Sequence, residues 1–130
     1  DEVKTVKASS SMPENISLDS MAIFANATVY FEFDKSSLTS KSIQTLKSAV
    51  DALNENSTIE VTLSGHADER GTREYNLALG QRRAESVSDY LVLNGINKSR
   101  ITVKSFGEEK PLAYGQDEAS YAKNRRVEIN

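Results

Sequence analysis

Two hydrophobic periods meet in the middle of this chain, and their junction restricts the fold more than any other feature. Ile59, Val61 and Leu63 alternate with Glu60, Thr62 and Ser64, the two-residue repeat of a half-buried strand, predicted over 58–64. A polar loop bracketed by Gly65 and Gly71 follows. Leu77, Ala84, Val87 and Leu91 then fall on one helical face, with Gly80 in the seam between the first two. That helix is predicted from about 73 to 94, stopped by Asn94-Gly95 as a left-handed cap. A loop from the carboxyl end of a strand to a helix amino terminus commonly holds charged ligands in α/β proteins. The first-turn N–H groups are unpaired there, and the helix dipole favours negative charge.

The flanking segments continue the alternation of periods. Residues 1–15 are polar and aperiodic, which predicts a tether, and 16–25 hold Ile16, Leu18, Met21 and Phe24, enough for a short helix or turn. Val29, Phe31 and Phe33 against Tyr30 and Glu32 predict a first strand over 28–33, and Asp34–Thr39 a loop. Ile43, Leu46, Val50 and Leu53 mark a helix from about Ser40 to Asn54. A strand at 101–106 ends at Gly107, a connection over 107–123 carries a short helical turn at 118–123, and 126–129 forms a last strand with Val127 and Ile129 inward. The order β-α-β-α-β-β predicts an α/β two-layer sandwich, a single folded domain over 26–130 behind a tether at 1–25.

Composition narrows the function classes. The 130 residues suffice for one core without disulfide or metal, and 38% hydrophobic with 27% charged residues is ordinary for a globular domain. A net charge of −3 argues against a general nucleic-acid binder, which needs a dominant basic face. No apolar run approaches the roughly 20 residues that span a bilayer. There is no cysteine and therefore no thiol chemistry, and no signal peptide is recognisable, which predicts a chain that begins after processing or trimming.

The charges at the junction suggest binding. Asn76 and Arg83 are seven residues apart, nearly one above the other on the helix, and Asp68 lies in the loop leading into it. A carboxylate and a guanidinium on one pocket suit a small zwitterion, with Asp68 taking an ammonium and Arg83 a carboxylate in bidentate fashion. Plainer readings stand beside this one. Asp68 also fits a cap, Arg83 a solvated face with Glu85 or Glu74, Asn76 a first-turn backbone contact, and Phe33 and Asp34 a core aromatic and a turn residue.

His66 is the only histidine. With Asp68 and Glu69 it invites a metal or general-base reading, but a catalytic metal site usually needs three protein ligands and nothing else here supplies the nitrogen. No Gly-x-Ser-x-Gly elbow supplies a nucleophile either, so His66 reads as a strand-end residue that shapes the loop. Alternation along the last strand sends Arg125 and Arg126 to opposite faces, so at most one approaches the pocket.

The run Val29-Tyr30-Phe31-Glu32-Phe33-Asp34, followed by Gly65-His66-Ala67-Asp68-Glu69-Arg70-Gly71-Thr72, resembles the OmpA-like peptidoglycan-binding family. Asn76-x-x-Leu79-Gly80-x-x-Arg83-Ala84-x-x-Val87-x-x-x-Leu91 and Lys123-Asn124-Arg125-Arg126-Val127 extend the resemblance over roughly residues 28–130. The Asp-Glu-Arg-Gly-Thr loop and Gly80 are similar to the peptidoglycan-associated lipoproteins, although Arg73 stands where these usually have Pro, a favoured first helical residue.

The resemblance implies helices packed on one face of a mixed sheet, and a non-catalytic domain without cofactor. It implies binding of the diaminopimelate in the peptide stem of peptidoglycan, linking the outer membrane to the wall in a Tol-Pal-type system. Asp68 then meets the ammonium and Arg83 the carboxylate. Asn76 and the backbone around Gly71 and Thr72 fix orientation, Phe33 and Leu79 line the apolar path, and Asp34 stands at the mouth. The implied location is the periplasmic face of the outer membrane, through a lipid-modified cysteine upstream of this chain, with a TolB-like propeller protein as partner. A protein-interaction module, or a stator domain anchoring a motor to the wall, are the alternatives, and a wall hydrolase built on His66 and Asp68 comes last.

Overall fold

Four strands and three helices alternate along residues 27–130, the part of the chain that the computed structural model describes. The expectations for residues 1–25 lie outside the described residues. Strand β1 is Thr28–Tyr30, helix α1 Ser40–Glu55, β2 Val61–His66, α2 Arg73–Leu93, β3 Ile101–Gly107, α3 Glu118–Asn124 and β4 Arg126–Ile129. The sheet order is β1-β4-β2-β3. Strand β4 runs antiparallel to both its neighbours, with Val29 opposite Val127 and Leu63 opposite Ile129, while β2 and β3 are parallel. The predicted mixed sheet with both long helices on one face is what forms. The inward residues Val29, Leu63, Val127 and Ile129 share one cluster with Leu46, Ala49 and Leu53 of α1 and Ala84, Val87 and Leu91 of α2.

Each helix begins on a side-chain cap. Thr39 Oγ1 accepts from Ser42 N at 3.1 Å, Thr72 Oγ1 from Tyr75 N at 3.1 Å, and Asp117 Oδ1 from Ser120 N at 2.8 Å. Helix α2 therefore starts at Arg73 without a Pro at its first position, because Thr72 supplies the start signal. It ends as predicted, with Gly95 at φ +95° donating to Val92 O and Ile96 to Leu91 O, a Schellman pair that drops Ile96 into the core.

Three boundaries differ from the periodicity. Strand β2 starts and ends later than 58–64. Arg100 donates to the carbonyls of Leu53, Asn56 and Ile59, which holds the residues before Val61 in a turn behind α1. Gly65 and His66 then continue the ladder through Val127 and Gly107. On α1, Ile43 is only half-buried and Ser42 is buried instead, donating to Tyr30 O at 3.0 Å and tying the helix to β1. The largest correction is β1. It ends at Tyr30, and Phe33 is 55% exposed rather than inward. The carbonyls of Phe31 and Glu32 are taken by Arg125 and Arg83, so the backbone leaves the sheet and turns through Asp34, at φ 58°.

One contact sets how closely α2 approaches the sheet. A Cβ on Gly65 would lie 1.8 Å from Gly80 O, and one on Gly80 2.4 Å from Ser105 Oγ and 2.9 Å from Gly65 O. Backbone meets backbone here, which brings the first turns of α2 over the end of β2.

His66 points its ring to the sheet face away from the long helices. It stacks on Phe106 with centroids 5.5 Å apart, stands 4.0 Å from Glu128 Oε1, and has no hydrogen-bond partner on either ring nitrogen. Burial, helped by the positive charge of Arg126 and opposed by Glu128, lowers its pKa to about 4.

Two measurements follow from this packing. Replacing Gly80 by Ala is expected to cost about 1–3 kcal/mol in urea unfolding, and Gly65→Ala more, because its obstacle is backbone; losses within error would mean the helix can lift off freely. Histidine 66 binds its proton more weakly folded than unfolded, so stability is fully present above pH 6.5 and declines as pH falls toward 4. That decline amounts to about 3 kcal/mol. Urea midpoints for the parent and His66→Phe across that range check it: the variant's profile should be the flatter one, and parallel profiles would refute the assignment.

Candidate functional site

The junction loop, the first turns of α2 and the turn after β1 enclose a cleft of about 280 Å³, lined by Phe33, Asp34, Ala67, Asp68, Arg70, Gly71, Tyr75, Asn76, Leu79 and Arg83. Seven of the eight residues singled out from the sequence are among them. The eighth, Thr72, expected to contribute its backbone N–H, is not in the lining, and its hydroxyl caps α2.

Arg83 is almost wholly buried, over the ring of Phe31. Its Nε donates to Lys35 O at 2.8 Å, Nη1 to His66 O at 2.9 Å and Nη2 to Glu32 O at 3.1 Å. The solvated-face reading with Glu85 or Glu74 is thus incorrect, since three backbone carbonyls are its partners. Three of the five guanidinium N–H groups are committed, leaving one on each terminal nitrogen. Burial, and then the charge of Arg125, lower its pKa to about 10, so it is still a cation at neutral pH.

Asp68 is also buried, and it is already paired. Its Oδ1 accepts from the backbone N–H of Arg70 at 3.0 Å and from Arg70 Nε at 3.1 Å, and Oδ2 accepts from Arg70 Nη2 at 2.9 Å. The turn-residue reading of Asp68 is therefore realised together with an ion pair. Burial pushes the carboxyl upward, but the hydrogen bonds and charge of Arg70, with Arg125 behind, outweigh it and hold Asp68 below its usual range. Arg125 Nη1 lies 3.7 Å from Asp68 Oδ2 while Nε donates to Phe31 O; Arg126, across the sheet, pairs with Glu128. Alternation had allowed one of the two arginines to approach, and it is Arg125.

Asn76 braces the loop. Its amide nitrogen donates to Arg70 O at 3.1 Å and to Glu108 Oε1 at 2.7 Å, so both amide hydrogens are used within the protein. Gly71, at φ +102°, makes the bend that lets the loop turn into α2. Leu79 is buried and Phe33 is exposed, which gives the cleft an apolar floor and an apolar lip. The Tyr75 hydroxyl donates to Asp34, linking α2 to the turn after β1.

Sequence reasoning missed Arg70, Tyr75 and Ala67 as lining residues. A charged loop residue reads as solvated, and Arg70 differs only by its place two residues after a turn-forming Asp. The ring of His66 turns toward Phe106 and Glu128, and only its carbonyl serves the site, through Arg83. Among the described residues no cluster of His, Cys, Asp and Glu could hold a metal ion. With Asp34, Asp68, Arg70 and Arg83 the cleft presents two carboxylates and two guanidinium groups on an apolar bed. Such a cleft can hold a small ligand carrying both signs of charge.

The family model that matches the chain is that of the OmpA family, over residues 30–125. The peptidoglycan-associated lipoprotein of Pseudomonas aeruginosa is 48% identical over 111 residues, 85% of this chain and 66% of that protein. The peptidoglycan-associated lipoprotein of Haemophilus influenzae is 48% identical over 100 residues, 77% of this chain and 65% of that protein. The chain thus spans about two thirds of the length of these relatives. Among solved structures, the peptidoglycan-associated lipoprotein from Burkholderia pseudomallei superimposes with a TM-score of 0.79 at 42% identity, covering 82% of this chain and 91% of that one. The strand–loop–helix cleft, the mixed sheet and these matches agree: the chain belongs to the OmpA family.

Proposed function

We propose that this domain binds the peptide stem of peptidoglycan without catalysis and so links the outer membrane to the cell wall. The observation that carries the reading is the cleft itself, in which a buried carboxylate and a buried guanidinium share one apolar bed. The diaminopimelate side chain ends in an ammonium and a carboxylate, matching a cleft whose lining charges sum to zero. Asp68 takes the ammonium. Arg83 takes the carboxylate through its two uncommitted N–H groups, one on each terminal nitrogen. Leu79 and Phe33 lie along the methylene chain, and Gly71 and Asp34 border it.

The relatives' names add a lipid anchor and an envelope location to this reading. The domain then works at the periplasmic face of the outer membrane, held by a lipid attached outside the present chain. A Tol-Pal-type role, with a TolB-like propeller protein as partner, completes it.

Pull-down on purified sacculi tests the core of this proposal. Asp68→Asn keeps the shape and removes the charge; Arg83→Lys keeps the charge and loses the fork. With folding verified by circular dichroism, each should reduce wall binding by about tenfold or more, the size expected for a lost charge-assisted contact. A lysine stem lacks the second carboxylate and should bind more weakly than the diaminopimelate stem by a similar factor. Variants that pellet like the parent would make those charges purely structural, and a parent that stays soluble would favour a protein-interaction module.

A further inference from the structure

Resting on the wall-binding reading, we infer that Arg70 is an internal stand-in for the ligand's ammonium: in the free domain it fills the subsite on Asp68, and an arriving ligand displaces it. Acceptor capacity is the first reason. An ionised carboxylate offers about four lone-pair positions. Arg70 takes two on Oδ1 and one on Oδ2, and the remaining side of Oδ2 faces Arg125 Nη1 at 3.7 Å. Asp68 is 5% exposed, so no further face is open to a second cation. An ammonium reaches this carboxylate only by taking a place that Arg70 holds.

Mobility is the second reason. Arg125 is deeply buried and tied to Phe31 O and Glu118, whereas the Arg70 side chain is 36% exposed and hangs on Asp68 from a loop. Its guanidinium lies between two rings, 4.1 Å from the centroid of Phe33 and 4.3 Å from that of Tyr121. Two aromatic faces and a carboxylate form a seat for any cation, and the face of Phe33 belongs to the cleft. A second carboxylate stands ready on the way out, because Glu118 Oε1 is already 3.9 Å from Arg70 Nη2. Asp68 keeps a positive neighbour after the exchange. Arg125 Nη1, buried and without a hydrogen-bond partner, is beside it.

Displacement costs every ammonium ligand the same, so it lowers affinity without changing the preference between ligands. A ligand that also offers a carboxylate to Arg83 recovers the loss. One that brings an ammonium alone does not. Arg70 thereby weakens simple amines and the zwitterion by one factor, and the contact with Arg83 decides which of them still binds.

Calorimetric titration of the 130-residue chain with a diaminopimelate stem peptide and its lysine counterpart tests this. Arg70→Met keeps the stem between the rings and removes the competing cation. It should bind both peptides about tenfold tighter, the gain expected for freeing a charge-assisted pair. Tyr121→Leu removes one face of the seat from outside the cleft lining, and should tighten binding by a smaller factor, a check that does not depend on the first variant folding well. In the parent, the Arg70 Nε–H resonance should shift when the diaminopimelate peptide saturates the cleft. Tighter binding by both variants with that shift supports the inference. Equal or weaker binding by the variants, with the parent still binding, overturns it and leaves the wall-binding reading intact. Absence of binding by parent and variants alike removes both.

Discussion

A buried guanidinium holds the cleft end of this molecule together. Arg83 reaches from the middle of α2 to three carbonyls, two in the turn after β1 and one at the end of β2. An isolated charge buried this deeply is strongly unfavourable, and the three carbonyl dipoles are what make it tolerable. The bonds work in both directions. They satisfy backbone groups that have left the sheet, and they fix the positions of Glu32, Lys35 and His66 relative to the helix. Without them, the turn carrying Phe33 and Asp34 loses its backbone ties to α2 and keeps side-chain contacts such as that of Tyr75 with Asp34.

Around that anchor the charges are arranged in sequence. Arg125 fastens the carbonyl of Phe31, the last core residue after β1, and stands behind Asp68, and Arg70 covers Asp68 from the solvent side. The tight Gly65–Gly80 contact sets the distance between β2 and α2, and the loop joining them runs from buried Ala67 and Asp68 to the exposed Glu69 and Gly71. Small residues in the seam and large cations at its edge are two parts of one design. Close backbone approach brings α2 over the end of β2, and the guanidinium groups of Arg70 and Arg83 line the cleft beside it.

Much of this was legible from residue order. The two-residue and helical periods located every long element, and Asn94-Gly95 gave the end of α2, whereas the Thr72 cap at its start emerged only from the structure. Illegible were the features set by partners far along the chain. Arg100 finds Ile59 O at a separation of 41 residues, Arg83 finds Glu32 O at 51, and Arg125 finds Phe31 O at 94. A carbonyl has no signature in a sequence, so an arginine that binds one looks like any solvated cation. For that reason the early end of β1 and the late start of β2 escaped periodicity; the pairing of Asp68 escaped it although Arg70 is only two residues away, because a charged loop residue reads as solvated. The opposed charges of Asp68 and Arg83 were visible as a pair because their spacing is local.

The pairing of β1 with β4 has a consequence in time. These strands lie at opposite ends of the described chain, yet they are neighbours, and Arg125, just before β4, completes the back wall of Asp68. Contacts this distant in sequence form late and slowly, since loop closure must precede any gain from them. A polypeptide threaded from its amino terminus carries Asp68 and Arg83 well before it carries Arg125. The back wall of Asp68 is consequently complete only after the last helix and its exit have been made, and a partly emerged chain carries this carboxylate without its buried cationic neighbour.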